Sequence, residues 1–110
     1  MGVSKNHIHS ARENEYAAIA KVLAHPARIA ILDYVAKNPG CLCKDLAERI
    51  KLSQPTTSQH LQVIQRLRVL ETTFSGGNMY YSLNGNSILQ MKDRIFEYFS
   101  IVAKDISKAP

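Results

Sequence analysis

Apolar residues recur along this chain at helical spacing through most of its length, and at strand spacing over one short interval. Tyr16, Ile19, Val22 and Leu23 fall within an alanine-rich run that predicts a first helix over residues 11–24, with small Ala17, Ala20 and Ala24 admitting a close neighbour. Pro26 suits the first position of a second helix, where its missing N–H has no partner to lose. Ile29, Leu32 and Val35 or Ala36 are expected to face inward, and Asn38-Pro39-Gly40 ends the segment. A short third helix is expected over residues 44–50, with Leu46, Ala47 and Ile50 inward. Only Lys51 and Leu52 separate it from Ser53, an N-capping residue type, and Pro55, which fits the first turn of a fourth helix. Ala47 is expected where the two helices cross, and Leu52 is expected to plug the turn. Strand-like runs over residues 69–75 and 79–84 flank Gly76-Gly77-Asn78, which supplies the positive φ angles of a tight hairpin. A last helix covers residues 86–107. This order predicts a mainly α fold with a small β-hairpin, a winged helix-turn-helix, in a single domain spanning residues 1–110. Residues 1–10 would form a flexible N-terminal arm.

The fourth helix carries an unusual surface. At 100° per residue, Thr57, Leu61, Ile64 and Arg68 align, and Leu61 and Ile64 anchor the core side. The opposite side presents Thr56, Gln59, Gln62, Val63 and Arg66, with Ser53, Gln54 and Ser58 near its N-terminal end. Solvated helices normally carry Glu and Lys, whereas this one offers neutral donors and acceptors. Gln pairs with adenine, Arg with guanine, and Val or a Thr methyl meets the thymine methyl in a major groove. The free N–H groups at the start of the helix favour a phosphate. A polar helix face is common in itself; its position after a tight turn and before a glycine-tipped hairpin is what points to double-stranded DNA. The candidate DNA-binding residues are therefore Ser53, Gln54, Thr56, Thr57, Ser58, Gln59, His60, Gln62, Val63 and Arg66, with Ser75, Gly76, Gly77 and Asn78 of the hairpin.

Charge agrees with a polyanionic partner. Fourteen Lys and Arg against nine Asp and Glu give the 110 residues a formal net charge of +5. No apolar run approaches the roughly 20 residues of a membrane-spanning helix, and the N-terminal segment lacks a signal-peptide pattern. Asn6 stands where a myristoylation signal has Ser or Thr. The only cysteines, Cys41 and Cys43, are too close in sequence to staple a fold, so a cytoplasmic location is expected. No phosphate-binding glycine loop, nucleophile elbow or paired-carboxylate motif suggests an enzyme.

Between Ala24 and Leu83 the chain resembles the ArsR/SmtB family of bacterial winged-helix repressors. The likeness is carried by AHPARIAIL, CLCKDL, LSQPTTSQHL and GGNMYYSL. It implies a homodimer that binds operator DNA and is released when a metal or another inducer is sensed. The chain departs from the family at the wing, where Thr72, Thr73 and Phe74 stand in place of the usual Arg or Lys. Phosphate contacts there would rest on Ser75, Asn78 and backbone N–H groups, with Lys44, Arg49, Lys51, Arg66 and Arg68 compensating elsewhere. Metal-sensing members place a Cys-x-Cys pair directly before an Asp; here Lys44 intervenes between Cys43 and Asp45. Cys41 and Cys43 could share an ion only where the segment is extended or just entering a helix, with His7 and His9 as further candidate ligands. A redox switch or a structural role are the alternatives. A thiol at a helix N-terminus is expected to ionise readily. No cofactor is required, and a metal ion stands as a candidate only.

Assembly is suggested by the last helix. Ile88, Met91, Ile95, Tyr98 and Val102 form one seam that Leu89, Phe96, Phe99, Ala103 and Ile106 widen. That is more apolar surface than so small a domain can cover, so the first and last helices (residues 11–24 and 86–107) are expected to pair across a homodimer. Tyr16, Ile19, Leu23, Ile88, Met91, Ile95, Tyr98, Phe99 and Val102 are the candidate dimer residues. A winged-helix module for protein partners, without DNA binding, is the competing reading.

Overall fold

Every helix here but one starts where a side chain meets the N–H groups that its first turn leaves free. In the computed structural model, which describes residues 9–108, α1 (Ala11–Leu23) opens at Ser10. The Ser10 hydroxyl accepts from the Glu13 N–H at 3.1 Å, and the Glu13 carboxylate accepts from the Ser10 N–H at 3.0 Å. α2 (Pro26–Lys37) has proline at its first position and His25 as its cap, whose Nδ1 accepts from the Ala27 N–H at 3.0 Å. α3 (Cys43–Ile50) and α4 (Gln54–Gln65) follow, joined by a turn. β2 (Leu70–Ser75) and β3 (Asn78–Leu83) form the hairpin. α5 (Gly85–Ser107) is capped by Asn84, which accepts from the Ser87 N–H at 3.1 Å. The sequence suggested Asn84 as the last strand residue; it caps the helix instead.

A third strand, β1 (Cys41–Leu42), was not expected. It pairs antiparallel with β3 through Cys41 opposite Tyr81 and Leu42 opposite Tyr80, which makes a sheet of order β1-β3-β2. Two residues are too few to show an alternating pattern, so the sequence held no sign of it. Gly40 enters the strand at φ 83°, where a side chain would strain the backbone. The winged helix-turn-helix architecture is otherwise as expected, with that third strand at the base of the wing.

Val22, Ile31, Val35, Leu46, Ile64 and Val69 form the centre of the core, where α1 to α4 meet the base of the hairpin. Removing this apolar surface from water is the main stabilising term. Two expectations fail at its edge. Ile29 is 46% exposed, and Ile31 takes the inward place with Val35. α2 carries apolar residues nearly all round, so spacing alone could not choose its buried side. Leu52, expected to plug the turn, is 37% exposed, and the turn closes through its backbone instead. Among the described residues, no helix is long and apolar enough to cross a membrane.

Candidate nucleic-acid interface

The turn between α3 and α4 is set by backbone geometry. Lys51 adopts a left-handed conformation at φ 58°, and the Leu52 N–H donates to the Ala47 carbonyl at 3.1 Å. Ala47 is buried at this junction, as expected from its small side chain. Ser53 then starts α4: its hydroxyl accepts from the Thr56 N–H at 3.2 Å and lies 3.0 Å from the Thr56 hydroxyl. Pro55 occupies the first turn. Leu61 and Ile64 anchor the helix in the core, so its opposite side must face water.

On that side Gln54, Gln59, Gln62 and Arg66 are exposed, while Thr56, Ser58 and Val63 are half-buried. Thr57 departs from its expected role. It is fully buried, and its hydroxyl donates to the Ser53 carbonyl at 2.8 Å. Position 57 falls on the same line as Leu61 and Ile64, so Thr57 supports the start of the helix and cannot reach a groove. Gln65 is also structural, since its Oε1 accepts from the Leu70 N–H at 3.0 Å and fixes where the strand begins. Among the described residues, ion pairs involve His9, Arg94, Glu13, Glu15 and Glu97, and none involves Lys44, Arg49, Lys51, Arg66 or Arg68. All five of these cations are exposed.

His60 points back toward α2. Its ring packs on that of His25 with centroids 4.5 Å apart, and its Nδ1 lies 3.2 Å from Arg28 Nη1. A guanidinium only donates, so Nδ1 accepts and the imidazole is neutral there. Burial, then the neighbouring His25 and Arg28 charges, hold its pKa below the ordinary 6.5. The same Arg28 donates to the Lys21 carbonyl at 2.7 Å, which also accepts from the Ala24 N–H at 3.3 Å, and to the Val22 carbonyl at 3.2 Å, so it caps the end of α1. Arg28 was missed in the sequence; a basic residue soon after a predicted helix end was the available signal.

Ser75, Gly76, Gly77 and Asn78 form the exposed tip of the wing, with the two glycines at φ 57° and 81°. A cleft of about 230 Å³ separates the wing from α4, bordered by Ser58 and Gln62 on one wall and by Thr72 and Tyr81 on the other.

The candidate dimer residues divide. Ile19 is buried within the protomer, where α5 lies along its own α1. The Tyr16 hydroxyl donates to Glu97 at 2.9 Å, and Arg94 meets Glu15 at 3.1 Å and Glu97 at 3.2 Å. Tyr16 also packs at a tilt of 54° against Tyr98, with 5.0 Å between centroids. Ile88 and Met91 pack against the core, and Ile95 and Val102 are half-buried. Leu23, Tyr98 and Phe99 remain exposed, together with Leu89, Phe96 and Ile106. Leu23, Ile95, Phe96 and Phe99 line an open apolar cleft of about 440 Å³.

The cysteines do not make a metal centre with the described residues. Cys41 is buried in β1 and Cys43 half-buried at the start of α3; their thiols contact the Tyr81 carbonyl at 4.0 Å and the Gln54 carbonyl at 3.8 Å. Burial raises both thiol pKa values, and the Asp45 carboxylate adds to the rise at Cys41. Both shifts run opposite to the ready ionisation expected of a thiol at a helix N-terminus, with desolvation as the main cause. No group of three or more His, Cys, Asp or Glu able to hold a metal occurs among the described residues. His9 instead pairs with Glu13 at 3.5 Å, and His7 lies outside the described residues.

Residues 23–73 match a family model described as a helix-turn-helix domain. The chain is 37% identical over 70 residues to the arsenical resistance operon repressor of Staphylococcus xylosus, covering 64% of this chain and 66% of that protein, just under two thirds of its length. It is 33% identical over 72 residues to the transcriptional repressor SdpR of Bacillus subtilis, covering 66% of this chain and 78% of that one. Among solved structures, it is similar to the homodimeric winged helix-turn-helix DNA-binding domain Mb0332 from Mycobacterium bovis, at 25% identity and a TM-score of 0.63, covering 96% of this chain and 91% of that one.

Proposed function

Because this chain belongs to the ArsR/SmtB family of winged helix-turn-helix transcriptional regulators, we propose that it is a cytoplasmic repressor that binds a pseudo-palindromic DNA operator as a homodimer. The observation that carries this reading is the outward side of α4. It holds exposed Gln54, Gln59 and Gln62 without a single carboxylate, and exposed Arg66 just after its end. Neutral amides satisfy base edges, while the unpaired cations around them supply the attraction to phosphate that acts on any sequence. Ser53, Thr56, Ser58 and the wing tip Ser75–Asn78 would hold the backbone on either side. His60, turned toward α2, acts from behind by fixing how the helix sits. The protein-partner reading is less well supported, since an uncharged amide face flanked by free cations is costly to bury against protein yet suits a groove.

The exposed apolar residues of α5 support the dimer. Phe96, Phe99 and Ile106 are 74%, 62% and 70% exposed, and a second copy supplies a matching apolar surface. In such a dimer the two α4 helices would meet successive major grooves, about 34 Å apart. Selection from a random pool of duplexes tests the proposal. Enrichment of a two-fold-related sequence, with half-sites about one turn apart, is expected. A pool that converges on nothing at low salt would overturn it.

A further inference from the structure

Phe74 and Met79 are an apolar pair at the outer end of the wing, and nothing in the helix-turn-helix accounts for them. They lie opposite each other in the hairpin register, outside Thr72 opposite Tyr81 and Leu70 opposite Leu83. Side chains two apart in a strand share a side, so all three rows look the same way. The innermost row is core, and the middle row borders the cleft facing Ser58 and Gln62 of α4. The outer row stands about 7 Å further out on that side, with Phe74 69% and Met79 40% exposed. β1 pairs with β3 only at Tyr80 and Tyr81, so this end of the wing is two-stranded. From Thr72 to Asn84 the chain has no charged residue of either sign.

We propose that Phe74 and Met79 form an apolar wedge that binds the minor groove of duplex DNA beside the site held by α4. The inference rests on the DNA-binding reading above. With α4 in the major groove, the groove on its wing flank is the minor one. A wing without Lys or Arg gains little from phosphate, whereas apolar side chains against sugars and base edges gain from leaving water. No carboxylate on the outer hairpin opposes the approach. Contact here adds discrimination through groove shape, because apolar wedges favour base steps that deform easily.

The test uses the full chain and the duplex recovered by selection, with affinity followed by fluorescence anisotropy from 50 to 200 mM salt. Phe74→Ser combined with Met79→Ser is expected to weaken binding roughly tenfold while leaving the slope of log affinity against log salt unchanged. Phe74→Arg is expected to bind with a slope steeper by about one. Replacing guanine by inosine in the flanks removes only the minor-groove amino group, and should strengthen binding by wild type but not by the double variant. Thermal melting checks that the exposed substitutions leave the fold intact. Binding within twofold of wild type at every salt, or an equal inosine response in both proteins, would overturn the wedge while α4 keeps its role. The first of these results would leave the pair as a surface for a protein partner. Failure of wild type to select any duplex would overturn the DNA-binding reading, and the wedge with it.

Discussion

Arg28 Nη1 lies 3.2 Å from His60 Nδ1, while the same guanidinium holds the Lys21 and Val22 carbonyls. One side chain thus ties the end of α1 to the middle of α4, so the helix proposed to meet DNA and the helix beside α5 share a fixed point.

This contact makes stability depend on pH in a definite direction. The folded protein holds His60 neutral, below the ordinary 6.5, so the unfolded chain takes up a proton first as pH falls. The stabilisation is fully present above the ordinary value and is lost as pH falls through the folded one. An NMR titration should give His60 a midpoint below 6.5, and Arg28→Gln should raise that midpoint partway, since burial remains as the larger cause. A midpoint at or above the ordinary value would contradict the packing described.

Thr57 separates stability from recognition. Thr57→Val keeps the buried shape and loses the 2.8 Å bond to the Ser53 carbonyl, at a cost of about 1 kcal/mol. The carbonyl still accepts from the Thr57 N–H at 2.9 Å, which limits the loss. The variant should melt earlier, yet bind the selected duplex as wild type does when measured well below its melting temperature. Weakened binding with unchanged melting would restore Thr57 to the interface.

The two cysteines should react slowly. Alkylation needs the thiolate, and burial raises both pKa values. A time course with iodoacetamide at neutral pH, read by mass spectrometry, is expected to modify half-buried Cys43 before buried Cys41, and both more slowly than a free thiol in solution. Rapid modification of Cys41 would show that the segment opens.

Phe96 and Phe99 test the assembly. Phe96→Glu with Phe99→Glu places charge in the apolar cleft and should convert a dimer into monomers of 12.3 kDa in sedimentation equilibrium. Both positions are exposed in the protomer, so folding should survive. A variant that remains dimeric would move the interface elsewhere.

Much of this architecture is legible in residues with a local job. Ser53 and Pro55 mark the start of α4, Pro26 the start of α2, and Gly76-Gly77 the hairpin, because capping, a missing N–H and positive φ are decided within a few residues. What depends on the neighbours of an element was hidden. Ile29 and Ile31 are equally apolar, and only the placement of α2 against the core exposes the first and buries the second. Thr57 lies on the line of Leu61 and Ile64, which already marks it as inward; what spacing does not show is the Ser53 carbonyl that its hydroxyl meets. Arg28 and His60 are 32 residues apart, and no spacing rule joins them. In the candidate site the outward polar side of α4 was legible from periodicity, while β1 and the cysteine environments required the tertiary structure.

The central claim is that α4 discriminates among DNA sequences. Anisotropy titrations of wild type and of Gln59→Ala combined with Arg66→Ala, against the selected duplex and a scrambled one, test it most directly. The account predicts that the variant loses most of wild type's preference, with about 1–3 kcal/mol lost for each base contact, and retains much of its weak binding to the scrambled duplex. A variant that still prefers the selected duplex as strongly as wild type would contradict it.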